Sequence, residues 1–245
     1  YFAGVGARAA AQGLCKADNM HPVVTGMVSQ KLRFVPTYKH LGAMSTIGKS
    51  AAEEVAVRSA IIASETRKLR HRILLSPSLS TRTKINICNA YVLSKGTYNC
   101  GTWPPLLASS ANKFHNAVMN MYRAAAGNYY IKGSDNLHLM SDNEIIFGNG
   151  FLSPQALIRL SRVSLFIRVV RKQSKYVLGL IHAMSHVNRG WISAIKQDID
   201  LISTHGDYAH LFNLPLTQVS HLINQDPKYH YRAHSVSYTH LRAPE

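Results

Sequence analysis

The sequence predicts a mainly α-helical fold that begins with a short N-terminal β-hairpin. Apolar residues recur at helical spacing through most of the chain from about residue 50 onward. Serine-based helix-start signals precede several of these stretches. An extended, β-branched segment followed by a turn lies before residue 46. Together these observations predict a hairpin, a helical bundle and a further helical segment.

The hairpin is predicted around residues 31–46. Residues 31–35 favour a strand, and Pro36 keeps Val35 extended while lacking a backbone N–H for a central ladder. Tyr38 and Leu41 are apolar anchors, and Gly42 permits a tight turn or a close backbone approach. Composition alone leaves open whether Gly42 serves the turn only or contacts another molecule.

The first long helix is predicted over residues 50–75, with Val55, Ile62, Leu69 and Ile73 on one buried face. Glu65 is the only acidic residue of this helix after Glu54. The remaining surface of this helix is basic. Its residues form either a patch of one charge sign that contacts an anion or a solvated polar face. They are Arg58, Arg67, Lys68, Arg70, His71 and Arg72.

The second helix is predicted to start at a cap on Ser78 or Ser80 and to run to about residue 94, with Cys88 in the core. Lys84 and Lys95 lie near its two ends. Glycines and prolines then break the pattern over residues 95–105. Tyr98 and Trp103 in this break either close the edge of a core, which aromatic residues beside turns favour, or stack on bases.

Further amphipathic helices follow. A stripe at 110–125 contains Phe114, Val118, Met121 and Tyr122, and a capping box is predicted from Ser141 to Glu144. Ser153 and Pro154 open a helix with a second basic surface, which includes Arg159, Arg162 and Arg168. Its predicted core residues are Leu157, Leu160, Val163, Ile167 and Val170. The last two helices are predicted at 176–187 and 191–203, the latter burying Trp191, Ile195, Ile199 and Ile202.

Charge points to a polyanionic partner. The chain has 28 Lys and Arg against 12 Asp and Glu, a net charge of +16 and a pI near 10.0. No apolar run is long enough to span a bilayer, so no membrane role is expected. Three widely spaced cysteines argue against a disulfide framework and favour an intracellular, reducing compartment. Scattered histidines without short Cys/His pairs predict no metal site.

No complete active site is predicted. Two-metal catalysis of phosphoryl transfer needs paired carboxylates, and the nearest pair is Asp198 and Asp200, which do not share a helix face. The sequence has no nucleophile elbow, phosphate-binding glycine loop or zinc-protease motif. His115, His182 and His186 are interpreted as surface histidines. The sequence therefore predicts no catalytic residue and no cofactor in this chain.

The segment Tyr38-Lys39-His40-Leu41-Gly42 resembles the aromatic-x-x-Leu-Gly signature of reverse transcriptases from non-LTR (LINE-type) retrotransposons. Later elements resemble that family in the same order, across residues 31–201. They are a helix at 53–75, a connection at 76–79, a helix with a lysine near its start at 84–94, an aromatic-Gly-x-x-Trp type element at 98–103, a helix at 114–123, and a motif at Pro154, Leu157, Arg159 and Arg162.

The resemblance implies a fragment C-terminal to the catalytic palm of an RNA-directed DNA polymerase. Tyr38, Leu41 and Gly42 would form the primer grip, and the RNA template and DNA primer would be the partners. Mg²⁺ and the catalytic aspartates would belong to a palm upstream of this chain. The nucleic-acid-binding residues would be Arg58, Arg67, Arg70, Arg72, Lys84, Lys95, Arg159 and Arg162.

The implied organisation has four parts. Residues 1–46 would be a palm remnant with the grip hairpin, 47–130 a thumb-like helical bundle, 131–232 a C-terminal helical region, and 233–245 a non-native tail that resembles a translated adapter. The protein would act in the nucleus, the cytoplasm or both. The alternatives are a non-enzymatic basic helical module that binds RNA or an acidic protein, and a non-functional relic of the element.

Overall fold

The computed structural model describes residues 9, 20–25, 28–33, 37–40, 43–46, 51–127, 130–132, 137–172, 175–185, 190–203 and 218. The chain divides into two compact units, Tyr1–Glu54 and Val55–Glu245. The predicted mainly helical fold with an N-terminal hairpin followed by helices is confirmed. The tail predicted at 233–245 lies outside the described residues.

The first unit contains two antiparallel hairpins rather than the single one predicted. β1 (Met20–Thr25) pairs with β2 (Val28–Arg33), and β3 (Thr37–His40) pairs with β4 (Ala43–Thr46). Each pair is a separate two-stranded sheet. Since such a ribbon is marginal alone, further contacts matter, and the backbone N–H of Met44 donates to the Glu54 carboxylate at 2.6 Å within this unit.

The first helix, α1 (Ala52–Leu69), continues into a π-helical turn at Arg70–Leu74. Val55 and Ile62 are fully buried, as predicted, but Leu74 rather than Ile73 is the next fully buried apolar residue. A π-helical turn holds more residues than an α-helical turn. The buried position therefore moves one residue towards the C-terminus, a shift that a period of 3.6 residues does not predict.

The second helix, α2 (Thr81–Ile87), starts where Ser80 Oγ accepts a hydrogen bond from the Thr83 N–H at 3.2 Å, which confirms the predicted cap. It continues through a π-helical stretch, Cys88–Leu93, and a last turn, Ser94–Gly96. Cys88 is fully buried, as predicted, and burial raises the pKa of its thiol to about 11. A 3₁₀ turn, Cys100–Thr102, follows.

The third helix, α3 (Ala108–Ala126), buries the predicted stripe and ends at Gly127, whose φ is +77°. Trp103 packs edge-to-face on Phe114 of this helix with ring centroids 5.4 Å apart, so the core interpretation of Trp103 is confirmed. Tyr98, in contrast, is 48% exposed. Beyond α3, β5 (Tyr130–Lys132) pairs with β6 (Leu137–Leu139) in a third hairpin that the sequence did not indicate.

The remaining helices are α4 (Asp142–Asn149), α5 (Pro154–Arg171), α6 (Lys175–Ser185) and α7 (Gly190–Ser203). The predicted capping box at Ser141 and Glu144 and the predicted cap at Ser153 are both present. Helices α5, α6 and α7 share one apolar cluster, whose buried residues are Val163, Phe166, Ile167, Val170, Ile181, Ile192, Ile195 and Ile199. None of the described helices has both the length and the apolar character needed to cross a membrane.

Gly101 permits a close contact between the 3₁₀ turn and α5. A Cβ atom at this position would lie 2.6 Å from the Ser161 carbonyl oxygen. The Gly101 carbonyl also accepts a hydrogen bond from the Trp191 indole N–H at 2.6 Å. The turn that displays Tyr98 is thus followed by a backbone segment in direct contact with α5 and α7.

Candidate nucleic-acid interface

A cluster of exposed basic side chains lies where α1 passes into its π-helical turn. Arg67 and Lys68 belong to the last turn of α1, and Arg70, His71 and Arg72 belong to the turn that follows. All five side chains are exposed. Because helical residues three or four apart are neighbours, the five side chains form one continuous surface, called here the basic turn.

Glu65, one turn earlier on α1, already neutralises two lysines. Its carboxylate accepts hydrogen bonds from Lys68 Nζ at 2.6 Å and from Lys95 Nζ at 2.8 Å, and these bonds, first from Lys68 and then from Lys95, lower the pKa of Glu65 to about 2. Lys95 Nζ also lies 3.8 Å from the centroid of the Tyr91 ring. Lys95 is therefore paired, which leaves its predicted phosphate contact in competition with Glu65.

The three arginines of the basic turn differ from these lysines. Arg67, Arg70 and Arg72 form no hydrogen bond or ion pair with any residue that the structure describes. A guanidinium group carries five N–H donors in a planar fork that matches a phosphate. The basic turn thus has three exposed guanidinium groups that can bind an anion.

Other predicted nucleic-acid-binding residues are buried. Arg58 is 5% exposed, donates from Nη1 to the Lys95 carbonyl at 3.2 Å, and lies 4.9 Å from the Tyr98 ring centroid. Lys84 is 9% exposed. Because both residues are buried, Arg58 and Lys84 contribute to the packing of this unit. The phosphate contacts predicted for them stay a prediction.

Arg159 and Arg162 surround a buried carboxylate. Asp198 is 2% exposed, and Arg162 binds it in a fork with Nε–Oδ2 at 2.6 Å and Nη2–Oδ1 at 2.9 Å. Arg159 Nε lies 3.6 Å from Asp198 Oδ1. Burial lowers the pKa of Arg159, with a further decrease from the charge of Arg162, although Asp198 opposes it. Arg162 therefore joins α5 to α7 through an internal ion pair, and the nucleic-acid contact predicted for Arg159 and Arg162 stays a prediction.

Tyr38, the first predicted primer-grip residue, lies in β3 and is 58% exposed. His40 pairs with Ala43, so residues 41 and 42 connect the two strands. Leu41 and Gly42, the other two predicted grip residues, lie outside the described residues. The grip assignment therefore stays a prediction. Tyr38 belongs to the first unit and the basic turn to the second, so the two are described separately.

A large groove runs beside α2 in the second unit. It has a volume of about 1090 Å³ and lies between α2 with its continuation and α5. Among the described residues, its lining includes Arg82 and Arg168 but no aspartate or glutamate. Sequence reasoning placed Arg168 on a basic surface and overlooked Arg82. The spacing of Arg82, Asn86 and Asn89 on one helical face was the signal that could have identified this wall.

Catalytic carboxylates are not brought together. Asp198 is buried with both oxygens bonded to Arg162, whereas Asp200 is exposed, as expected for residues two apart on a helix. This arrangement does not fit a two-metal site, because the Asp198 oxygens are occupied by a guanidinium group. Among the described residues, no group of three or more His, Cys, Asp or Glu side chains is placed to hold a metal ion.

His115 has a partner that the sequence did not indicate. Its Nε2 lies 2.6 Å from Asp142 Oδ2, and Arg123 bonds to the other oxygen of the same carboxylate. Burial alone would raise the pKa of Asp142, but the hydrogen bonds from His115 and Arg123 bring it below its ordinary value. This cluster joins α3 to the first turn of α4. It is a structural contact, and it agrees with the interpretation of His115 as a surface histidine whose hydrogen bonding is satisfied, since its side chain is 38% exposed.

The chain matches no family model, no curated protein and no solved structure.

Proposed function

We propose that this chain binds a nucleic-acid duplex as the thumb-like part of a LINE-type reverse transcriptase, while the chemistry of polymerisation is performed by another part of that enzyme. The observation that supports this proposal most directly is the basic turn. Its arginines are exposed and form no ion pair among the described residues, and Glu65 on the same helix is already bonded to two lysines.

The chemistry of the basic turn suits phosphate rather than base recognition. Guanidinium groups bind phosphate oxygens through two parallel hydrogen bonds, and such contacts hold a duplex in place without reading its sequence. A polymerase must accept every template sequence, so contacts of this kind meet its requirement. The net charge of +16 adds long-range attraction for a polyanion.

The order of motifs over residues 31–201 is the support for naming the partners. On that resemblance the duplex consists of an RNA template and a DNA primer, and the site of action is the nucleus or the cytoplasm. The primer grip would be Tyr38, Leu41 and Gly42. Mg²⁺ would be bound by the palm of the parent enzyme, since Asp198 and Asp200 do not form a metal site here.

Binding of a blunt RNA–DNA hybrid of 20 base pairs to the full chain, followed by fluorescence anisotropy, tests the proposal. The variant Arg67→Ala/Arg70→Ala removes two exposed guanidinium groups, and we expect at least about tenfold weaker binding, because charge-assisted hydrogen bonds contribute about 1.5–3 kcal/mol each. Its melting temperature should stay within about 2 °C of the parent chain, since exposed substitutions away from packing change stability little.

The control is Lys113→Ala/Lys172→Ala, which removes the same charge from two other exposed positions. We expect this control to bind within about threefold of the parent chain, because it alters only the general field and not the contacts. Equal losses in both variants would show that net charge alone drives binding. Absence of hybrid binding at low salt would contradict the proposal outright.

A further inference from the structure

The residues that line the groove beside α2 are different from those of the basic turn. None of the basic-turn residues lines it. Its volume of about 1090 Å³ exceeds the range of about 300–1,000 Å³ that is usual for small-molecule sites. The groove therefore has room for a segment of a polymer.

The charge of the groove selects an anion. Arg82 on the α2 wall and Arg168 on the α5 wall are both exposed, and no carboxylate from the described part of the chain lines the groove. Arg168 Nε donates at 3.3 Å to the Ser164 carbonyl in its own helix, which leaves its other donors available. Arg82 has no hydrogen-bond or ion-pair partner within the described part of the chain. Two positive charges thus line the same groove without an acidic partner among the described residues.

The uncharged polar groups of the groove suit base edges. Asn86 of α2 and Asn89 of its π-helical continuation are exposed, three residues apart, and neither side-chain amide has a hydrogen-bond partner among the described residues. A carboxamide offers two donors and one acceptor, the combination that pairs with the edges of bases. These edges are accessible in a single strand and largely hidden in an A-form duplex.

Tyr98 supplies an aromatic surface that lines the same groove. Its ring is 48% exposed and lies 4.9 Å from the guanidinium of Arg58. Arg58 is itself fixed through its bond to the Lys95 carbonyl. The guanidinium group of Arg58 therefore packs against the ring of Tyr98. Stacking of bases on aromatic rings is a main source of affinity for single strands.

We infer that this groove binds a short single-stranded segment of RNA or DNA that continues from the duplex held at the basic turn. Arg82 and Arg168 contact the phosphates, Asn86 and Asn89 contact base edges, and Tyr98 stacks on one base. This inference rests on the proposed function, since it adds a single-stranded site to a duplex-binding chain.

The experiment compares the full chain on three labelled probes: a blunt 20-base-pair RNA–DNA hybrid, the same hybrid with an eight-nucleotide RNA overhang, and the same hybrid with a DNA overhang. We expect an overhang to strengthen binding by at least about fivefold, the effect of one stacked base. The stronger of the two overhangs identifies which strand the groove prefers.

Variants then test which residues produce the increase in affinity that the overhang gives, called here the overhang gain. Arg82→Ala/Arg168→Ala and, separately, Tyr98→Ala and Asn86→Ala/Asn89→Ala should remove most of the overhang gain while blunt-hybrid affinity stays within about threefold. Lys113→Ala/Lys172→Ala, which carries the same charge change as the arginine pair, should keep the gain. Arg67→Ala/Arg70→Ala should weaken binding of all three probes by a similar factor.

The outcomes separate the two proposals. Blunt-hybrid binding without any overhang gain, or a gain that survives all three groove variants, overturns the groove inference and leaves the proposed function intact. No binding of the blunt hybrid overturns the proposed function. Loss of the overhang gain with a polyglutamate peptide, but not with free single-stranded RNA or DNA at equal charge concentration, would also overturn the inference, because it would identify the groove as a docking site for acidic peptides.

Discussion

At the residue scale, Glu65 decides which cations beside the basic turn are already neutralised. It is 7% exposed, and its two carboxylate oxygens bind Lys68 and Lys95. The lysine of α1 and the lysine after α2 are thereby tied to one carboxylate. The two lysines therefore neutralise the buried carboxylate, whereas the arginines of the basic turn are exposed.

The Glu65 carboxylate should stabilise the folded chain at neutral pH and lose this effect in acid. The pKa of Glu65 is lowered from its ordinary 4.5 to about 2, so its contribution is fully present above about pH 4.5 and is lost as the pH falls towards 2. We expect the parent chain to be more stable than Glu65→Gln at pH 6, and the difference to shrink steadily below pH 4.5. Urea midpoints measured at several pH values test this, and a difference independent of pH would contradict it.

The same substitution should strengthen binding of nucleic acid. Glu65→Gln releases Lys68 and Lys95 from their carboxylate partner, so either lysine can contact a phosphate. We expect tighter binding of the blunt hybrid and a salt dependence steeper by up to about two contacts, at about 0.9 per contact. Unchanged affinity and unchanged slope would show that neither lysine reaches the duplex.

Gly101 tests the packing of the segment behind Tyr98. Gly101→Ala would place a Cβ atom 2.6 Å from the Ser161 carbonyl oxygen, and overpacking of this kind costs about 1–3 kcal/mol. Gly148→Ala is the matched control, because its Cβ would meet no atom within 4 Å and alanine favours a helix by up to about 1 kcal/mol. Thermal unfolding should show a loss for the first variant and no loss for the second.

The identity of the basic residues was readable from the sequence, but their burial was not. Arg58 and Arg67 both lie on α1, yet one is 5% exposed and the other belongs to the exposed basic turn. The difference arises from contacts distant in sequence, namely the Lys95 carbonyl and the Tyr98 ring. Periodicity within one helix carries no information about such partners, so composition predicted a cationic helix and not which cations face solvent.

At the scale of elements, the ion pair between Arg162 of α5 and Asp198 of α7 joins two helices. Arg162→Met leaves the buried charge of Asp198 with Arg159, at 3.6 Å, as its remaining ion-pair partner among the described residues. Breaking one side of a buried pair costs about 3–5 kcal/mol, so we expect a large loss in urea unfolding. Arg162→Met/Asp198→Leu should recover much of that loss, because well-packed apolar residues can replace such a pair. Equal instability of both variants would contradict this account.

Elements were most predictable where short-range chemistry sets them. Ser80, Ser141 and Ser153 cap helices through bonds to residues three positions later, so their sequence signals were sufficient. The π-helical turn at Arg70–Leu74 was not predictable from an assumed period of 3.6. The register of the core therefore matched the prediction at Val55 and Ile62 and changed at Leu74.

At the scale of the molecule, the basic turn and the groove belong to the same compact unit, Val55–Glu245. The sequence charge predicted an anionic partner for the whole chain. It did not predict the groove. Arg82 and Arg168 are 86 positions apart in the sequence, and they line the same groove only because of how the chain folds. The structure thus offers two basic surfaces of different chemistry, one suited to duplex phosphates and one to an unpaired strand.

The salt dependence of hybrid binding tests the central claim most directly. For the blunt RNA–DNA hybrid, log affinity plotted against log salt should give a slope that Arg67→Ala/Arg70→Ala reduces in magnitude by about 1.8, at about 0.9 for each lost phosphate contact. Lys113→Ala/Lys172→Ala should leave the slope unchanged. A slope near zero for the parent chain, or the same slope for the arginine variant, would contradict the claim that the basic turn contacts phosphates.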